Sequence, residues 1–508
     1  MDCSIIHSRR SRWRRGSARG FSAWWLAGLF ALAASAAEWQ DIAPGISFRE
    51  FVQPGPVRVF VTRADRAAKS WTIDSMKARG EVKGGKETVP EMVARYDGTI
   101  TADGHRYAIR AAINGDYYDM QSGVTLSGQF LSGWYARRFT EMGGLSGFVW
   151  TADRRCFLGG NVNNNATRQR VTFASGAVLK IQQLNEPRKP DSLVLFTPQF
   201  AENTGTTDDG VEVCVRVASP VGFSAAKSGV RGEILKIRDG QGSAPLLFNH
   251  VVLSAQGKAA KELRQHARVG ESLSIHLGLQ DTGRAEIGLA AGDWAQAYAG
   301  IGATKYVLVN GVVPRDWEAK AAQLARAGKK YGGVVKDPRT AIAFNEHAVF
   351  FLVIDGRSTR STGMTYTEAG EFCRDTLKAT DATLQDGGGS STLWVDGQVR
   401  NTPSGKGKDE KAGVLRAVAN GLFMAEVLPP EKSSAFASGQ RVRLKSCDAL
   451  SPGPGAAGKI PVTAADKTSG RVVAEPLNGI LARGEHWWFC RFGEIDGWAA
   501  AAQLTAGE

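Results

Sequence analysis

The stretch Gln385-Asp386-Gly387-Gly388-Gly389-Ser390-Ser391-Thr392 sets a carboxylate directly before three glycines and three hydroxyls. Glycine has no Cβ, so successive backbone N–H groups can approach an anion closely, and Ser390, Ser391 and Thr392 add donors. An acid or base beside a phosphate cradle suits cleavage at a phosphorylated sugar. Ile354-Asp355-Gly356-Arg357-Ser358 repeats the arrangement, with a cation whose planar fork can grip phosphate. Arg339-Thr340 opens one strand and Arg416 opens the last one, Val418-Ala-Asn420-Gly421. Near the front, Ile113-Asn114-Gly115-Asp116-Tyr117-Tyr118-Asp119 ends a strand with an amide, carboxylates and rings able to stack on a sugar. Each segment alone also has an ordinary reading: a glycine hairpin without ligand, a turn-forming Asp-Gly, a solvated arginine.

Short strands separated by glycine turns must position these groups. Val57–Val61 and Tyr107–Ile113 read as strands, and Val211–Val217 alternates with the period of a half-buried strand. Ala348–Ile354 is continuously apolar, which predicts a central strand covered on both faces. One helix is well marked: Thr365 and Glu368 spell a capping box, and Ala369, Phe372, Cys373 and Leu377 share a face. A weaker helical pattern runs from Asp316 to Gly328, and Asp396-Gly397 between apolar runs signals a two-residue hairpin.

The 508 residues exceed one compact core, and 43% apolar with 22% charged residues is the composition of a folded protein. Much of the formal charge of +13 sits in a leader rich in arginine (Arg9, Arg10, Arg12, Arg14, Arg15, Arg19). The remaining cations are spread along the chain, with no basic helix interleaved with aromatics, so nucleic acid is not an expected partner. Residues 1–37 carry the basic, apolar and small-residue order of a secretory signal. The apolar run Phe21–Ala34 is shorter than the ~20 residues a bilayer span needs. An exported protein, periplasmic or extracellular, with no membrane span after signal removal, is expected. Export permits disulfides. Cys447 with Cys490 is the readier pair, Cys156 with Cys214 a looser one, and Cys373 reads as a buried hydrophobe.

Read in order, the segments resemble the phosphodiester glycosidase family across most of residues 40–427. The likeness is carried by Ala112–Asp119, Leu195–Phe200, Thr204–Thr206, Val211–Val213, Val252–Gly257, Ala299–Gly302, Pro338–Ile342, Val353–Ser358, Gly363–Thr365, Asp386–Thr392, Asn401–Ser404 and Arg416–Asn420. It implies hydrolysis of a glycosyl phosphodiester with release of the sugar. Asp386, with Asp355 as second choice and Asp116 as a further carboxylate, would supply acid–base chemistry. Arg339, Thr340, Arg357 and Arg416 would hold phosphate with Gly387, Gly388, Gly389, Ser390 and Ser391, while Asn114, Asp116 and Asn420 orient the sugar or a water. Asp116, Tyr117 and Tyr118 stand where the family usually has a small residue and phenylalanines, and Gln385 where asparagine is common. The substrate is therefore expected to differ within the class. Clustered acids and amides leave room for a divalent cation such as calcium, though no loop spells a known site.

The expected fold class is α+β: a β-rich mixed catalytic region over 38–428, a linker over 429–438, and a small all-β module over 439–508. That last stretch, with Trp487-Trp488 and Gly497-Trp498, resembles a bacterial SH3-like barrel, a kind of domain that often binds envelope polymers. The alternative functions are a secreted glycopolymer-binding protein without turnover, or an accessory protein of exopolysaccharide assembly.

Overall fold

Strand Ala348–Ile354 is buried at every position because its alternating side chains face two different cores. Val349, Phe351 and Val353 enter one apolar cluster, and Ala348, Phe350, Leu352 and Ile354 another. The computed structural model describes residues 38–507, apart from 140–144, 165–167, 224–228, 405–412 and 446–447. The leader and Cys447 lie outside the described residues.

Ala348–Ile354 sits mid-way in a seven-stranded antiparallel sheet, between Val57–Asp65 and Arg339–Phe344, with Asp381–Leu384 beyond. A five-stranded sheet is centred on Arg106–Asn114, flanked by Leu393–Val395 and Asn420–Leu428, with Trp71–Lys77 at its edge. Side chains of both sheets share one cluster, including Phe60, Ile342 and Phe351 from the first and Ile73, Ile113 and Leu422 from the second. The two sheets therefore pack face to face. Their outer faces are covered by helices: Tyr366–Asp375 against the first, through Ala369, Phe372 and Cys373, and Val89–Tyr96 against the second, through Met92 and Val93. This is an α+β layering with strand predominating.

Helix Tyr366–Asp375 starts as its sequence predicts, with Glu368 N donating to Thr365 Oγ1 at 3.2 Å and Thr365 N to Glu368 Oε2 at 2.8 Å. Glu318–Arg326 falls within the weaker pattern. The Asp396-Gly397 hairpin joins Leu393–Val395 to Gln398–Val399 with positive φ at both turn residues, 44° and 87°. Val89–Tyr96 and Gly257–His266 are helices whose patterns are short enough to escape notice, although Thr88 and Glu91 form a capping box. Val211–Val217 is more buried than its alternation predicts, because it is central in an eight-stranded sheet built from residues 169–277.

The C-terminal strands Arg441–Leu444, Gly470–Val472, Glu485–Phe492, Ile495–Ala500 and Leu504–Ala506 form their own sheet around Trp488, Cys490 and Phe492. They are also joined to the body: Ile480, Phe489 and Trp498 share a cluster with Ile100 and Leu247. Cys156, Cys214, Cys373 and Cys490 are free thiols. The expected Cys156–Cys214 bridge is thus not formed; each is half-buried within its own sheet, Cys156 in Cys156–Leu158 and Cys214 in Val211–Val217. Cys373 is fully buried on its helix, as its apolar setting predicts.

Candidate active site

The two face-to-face sheets present strand ends to each other, and one side chain joins them. Asn114, the last residue of Arg106–Asn114, donates from Nδ2 to the Asp386 carbonyl at 2.7 Å. Its Oδ1 accepts from Thr340 Oγ1 at 2.7 Å and from Thr392 N at 3.1 Å. Asp386 N in turn donates to the Gly115 carbonyl at 2.9 Å. Asn420, first residue of the neighbouring strand, holds the same turn: its carbonyl accepts from Gly115 N, and its Oδ1 accepts from Asp116 N at 3.0 Å. Residues more than 270 positions apart along the chain are locked by buried amide hydrogen bonds, which are costly to leave unmade.

This lock brings Asp116 and Asp386 into mutual electrostatic reach. Burial pushes the Asp116 carboxyl up to about 7; a hydrogen bond from Tyr117 N at 2.6 Å opposes the shift and the charge of Asp386 adds to it. Burial likewise raises Asp386 to about 6, against the pull of Ser390, Arg416, the Gly387 amide and Arg357. Ser390 Oγ donates to Asp386 Oδ2 at 2.6 Å, and Arg416 Nη1 reaches Ser390 Oγ at 3.5 Å. Asp386 keeps partial exposure and is not sealed from solvent. Asp116 is 1% exposed and lies against Gly302, where any Cβ would overlap its Oδ2.

Several buried polar atoms here have no hydrogen-bond partner among the described residues: Asp116 Oδ2, both amide atoms of Gln385, Ser391 Oγ and Asn420 Nδ2. Native interiors hold few such atoms, and their concentration on two carboxylate-bearing turns marks a polar pocket rather than a packed core.

The cations differ in how they are held. Arg357 adopts a left-handed φ of 57°, pairs with Asp337 at 2.7 Å, and lies over Gly388, where a Cβ would stand 2.8 Å from its Nη2. Arg339 is buried, donates to the carbonyls of Met364, Gly332 and Val335, and stacks 4.7 Å over the Tyr366 ring. Tyr117 and Tyr366 stand in the field of Arg339 and Asp386, and burial raises both phenols. Thr340 is committed to Asn114.

Within the glycine run most amides serve the protein itself. Gly388 N donates to the Pro338 carbonyl, Ser390 N to Gly387 and Ser391 N to Gly388, while the Gly387 amide supports Asp386. The expected amide cradle is therefore largely occupied from within, and Arg357, Arg416 and Ser390 are the groups nearest Asp386 for an anion. Gly388 has φ of 59°, and Gly389 is buried. Asp355 stands apart from the pair. Its carboxylate accepts from Thr402 N at 3.0 Å and Asn401 Nδ2 at 3.2 Å, and Asn401 Nδ2 also donates to the Ser391 carbonyl. It buttresses the glycine turn from behind. Among the described residues no group of three or more His, Cys, Asp or Glu could hold a metal ion.

Sequence reasoning passed over Tyr366 and Asp337 and named Gly302 only as the end of the Ala299–Gly302 likeness. Gly302 closes the Ala299–Gly302 motif, the one available signal for it; Tyr366 reads only as a helix residue.

Residues 227–425 match the sequence model of the phosphodiester glycosidase family. That stretch contains Asp386, Asp355, Arg339, Arg357, Arg416 and Asn420; Asn114 and Asp116 come from before it. No curated protein matches the chain. Among solved structures, a hypothetical protein from Synechocystis is 15% identical with a TM-score of 0.48, over 78% of this chain and 64% of that one. The present chain thus spans under two thirds of the Synechocystis protein. A Burkholderia pseudomallei K96243 protein described as exported is 20% identical, with a TM-score of 0.44 over 74% of each chain. The catalytic domain of zebrafish N-acetylglucosamine-1-phosphodiester alpha-N-acetylglucosaminidase, auto-inhibited by its pro-peptide, is 13% identical with a TM-score of 0.33, over 78% and 87%. No helix among the described residues is long and apolar enough to cross a membrane.

Proposed function

We propose that this protein hydrolyses a glycosyl phosphodiester, releasing the sugar and leaving a phosphate monoester. The observation that carries the reading is the pair Asp116 and Asp386, one buried and one partly exposed carboxyl, both with raised affinities for protons, set beside Arg357 and Arg416. In the reaction a water oxygen bonds to the anomeric carbon, the carbon–oxygen bond to phosphate breaks, and the bonding pair leaves with the phosphate. Asp386, hydrogen-bonded by Ser390 and nearer the cations, is the carboxylate that ionises first and takes the proton of the water. Asp116, with the higher value, stays protonated and can deliver a proton toward the leaving oxygen. Phosphate is already a good leaving group, so the guanidinium charges of Arg357 and Arg416 contribute more than protonation does. Asn114 and Asn420 fix the two turns, and Tyr117 offers its ring face to the sugar.

In this reading residues 1–37 export the enzyme to the periplasm or the exterior, and its substrate is a sugar-phosphate ester of an envelope or extracellular glycoconjugate. Residues 439–508 form an SH3-like module that keeps the enzyme near envelope polymer.

The test is a screen of the purified protein against nucleotide sugars and other sugar phosphodiesters, following released sugar by mass spectrometry, with Asp386→Asn alongside. Turnover by the parent, reduced at least ~100-fold in the variant, supports hydrolysis. Binding without turnover in the parent would favour a secreted glycopolymer-binding protein instead.

A further inference from the structure

We propose that Tyr366 is a positioning residue for the substrate: gripped by Arg339, it holds the Tyr117 ring in place at the mouth of the Asp116–Asp386 pair. Resting on the hydrolysis reading, this hold sets how tightly the sugar half of the substrate is bound.

Tyr117 needs such a hold. It starts a short hairpin in which Tyr118 pairs with Thr125, Asp119 N donates to the Val124 carbonyl at 2.8 Å, and Leu126 N donates to the Tyr117 carbonyl at 2.9 Å. Side chains alternate between the two faces of such a pair. Tyr118 and Thr125 turn inward and are buried, with the Tyr118 hydroxyl donating to the Ala417 carbonyl at 2.9 Å. Tyr117 and Leu126 therefore turn outward, each 39% exposed. Tyr117 N also donates to Asp116 Oδ1 at 2.6 Å, but these bonds belong to the backbone and do not orient the ring. An unoriented ring would lose rotamer freedom each time a sugar stacked on it, which weakens binding.

Tyr366 supplies the orientation. It is the first residue of its helix and is 8% exposed. The Arg339 guanidinium lies 4.7 Å from its ring centre, and Trp317 and Tyr331 stand edge-on to it at 5.8 and 6.1 Å. A Cβ at Gly333 would stand 2.6 Å from atoms of both Tyr331 and Tyr366, so this glycine lets the two rings close up. Arg339 also ties down the backbone on both sides of the ring. Its Nε donates to the Met364 carbonyl at 2.9 Å, two residues before Tyr366, and its Nη2 to the carbonyls of Gly332 and Val335, which flank Gly333, at 2.8 and 2.7 Å. Burial raises the Tyr366 phenol, while the Arg339 charge and a hydrogen bond with Tyr117 pull it back. Beyond its own burial, the Tyr117 phenol is raised by Tyr366, Asp386 and Asp116, which sets it between this rigid base and the catalytic pair.

Tyr366→Phe isolates the role, because it keeps the packed ring and drops only the hydroxyl that meets Tyr117. A tyrosine that merely packs tolerates that change. With the sugar phosphodiester that the parent turns over fastest, Tyr366→Phe is expected to raise KM about 3- to 10-fold, the worth of one net hydrogen bond, and to lower kcat by less. Tyr117→Phe should do the same, and the double variant should be no worse than either single one, since both remove one contact. Nitration by tetranitromethane, read at Tyr117 by peptide mass spectrometry, needs no turnover and is expected to run at least ~3-fold faster in Tyr366→Phe than in the parent. An unchanged KM in Tyr366→Phe, additive losses in the double variant, or unchanged nitration of Tyr117 would each overturn the proposal. A parent that turns over no sugar phosphodiester sinks the hydrolysis reading instead, and nitration alone then decides whether Tyr366 holds Tyr117.

Discussion

Asp116 and Asp386 differ by about one step in proton affinity because only Asp386 has a hydroxyl donor and cations nearby. The profile of kcat/KM against pH is expected to be bell-shaped, since activity needs one proton on the pair. It should fall below about 6 as Asp386 gains a proton and above about 7 as Asp116 loses one, the apparent values belonging to the pair. A plateau running through pH 9 would contradict the assignment. The same burial has a sign for stability. Asp116 binds its proton more tightly folded than unfolded, so the stability linked to it is full below the unfolded value near 4 and is lost as pH rises through about 7. Asp116→Asn should therefore raise Tm relative to the parent by an amount that grows between pH 4 and pH 7 and then levels off, while activity falls. Thermal melts across that range read the difference directly. Asp355→Asn should behave otherwise. It loosens the Asn401–Thr402 contacts behind Ser391 and is expected to lower Tm with a loss of activity smaller than that of Asp386→Asn.

At the scale of elements, the site depends on strand ends from two sheets joined by Asn114, with Asn420 holding the Gly115-Asp116 turn. Gly302 is the tightest constraint. Its Cβ-less backbone lets Ala297–Ala303 pass against the Asp116 carboxyl, so Gly302→Ala should displace that carboxyl. Displacements of this order cost on the order of a hundredfold in rate, and a variant with near-parent kcat/KM would show that Asp116 is not held there. Much of this layer was legible in the sequence. The apolar run Ala348–Ile354 announced a strand covered on both faces, the Thr365–Glu368 box announced its helix, and Asp396-Gly397 its turn, because each is a local pattern with a local cause. What the sequence could not show is the partner of each strand end. The bonds from Asn114 to Asp386 and Thr340 span more than 200 residues, and no period or motif encodes such a distance. For the same reason Asp355 reads as the twin of Asp386 in sequence, yet its carboxylate is spent on the Asn401–Thr402 turn.

For the whole molecule, the C-terminal strands are tied to the body by apolar contact between Ile480, Phe489 and Trp498 and the residues Ile100 and Leu247. Backbone hydrogen bonds add to this, Arg483 N to the Gly98 carbonyl at 2.9 Å and Phe248 N to the Pro452 carbonyl at 2.8 Å. Removing residues 429–508 would expose that apolar face, so the truncated chain is expected to melt lower than the full chain and to aggregate. Independent melting of two parts in calorimetry of the full chain would argue that this contact is weak. The composition pattern marked the C-terminal stretch as distinct, since its tryptophans and turns are local. Its packing against Ile100 and Leu247 arises only when distant regions meet.

Hydrolysis of a sugar phosphodiester in water enriched in oxygen-18 tests the central claim most directly, with the phosphate product read by mass spectrometry because it does not exchange its oxygens. Attack at the anomeric carbon predicts an unlabelled phosphate monoester and the heavy oxygen in the released sugar. Oxygen-18 in the phosphate would place the attack at phosphorus and contradict the roles given to Asp386 and Asp116.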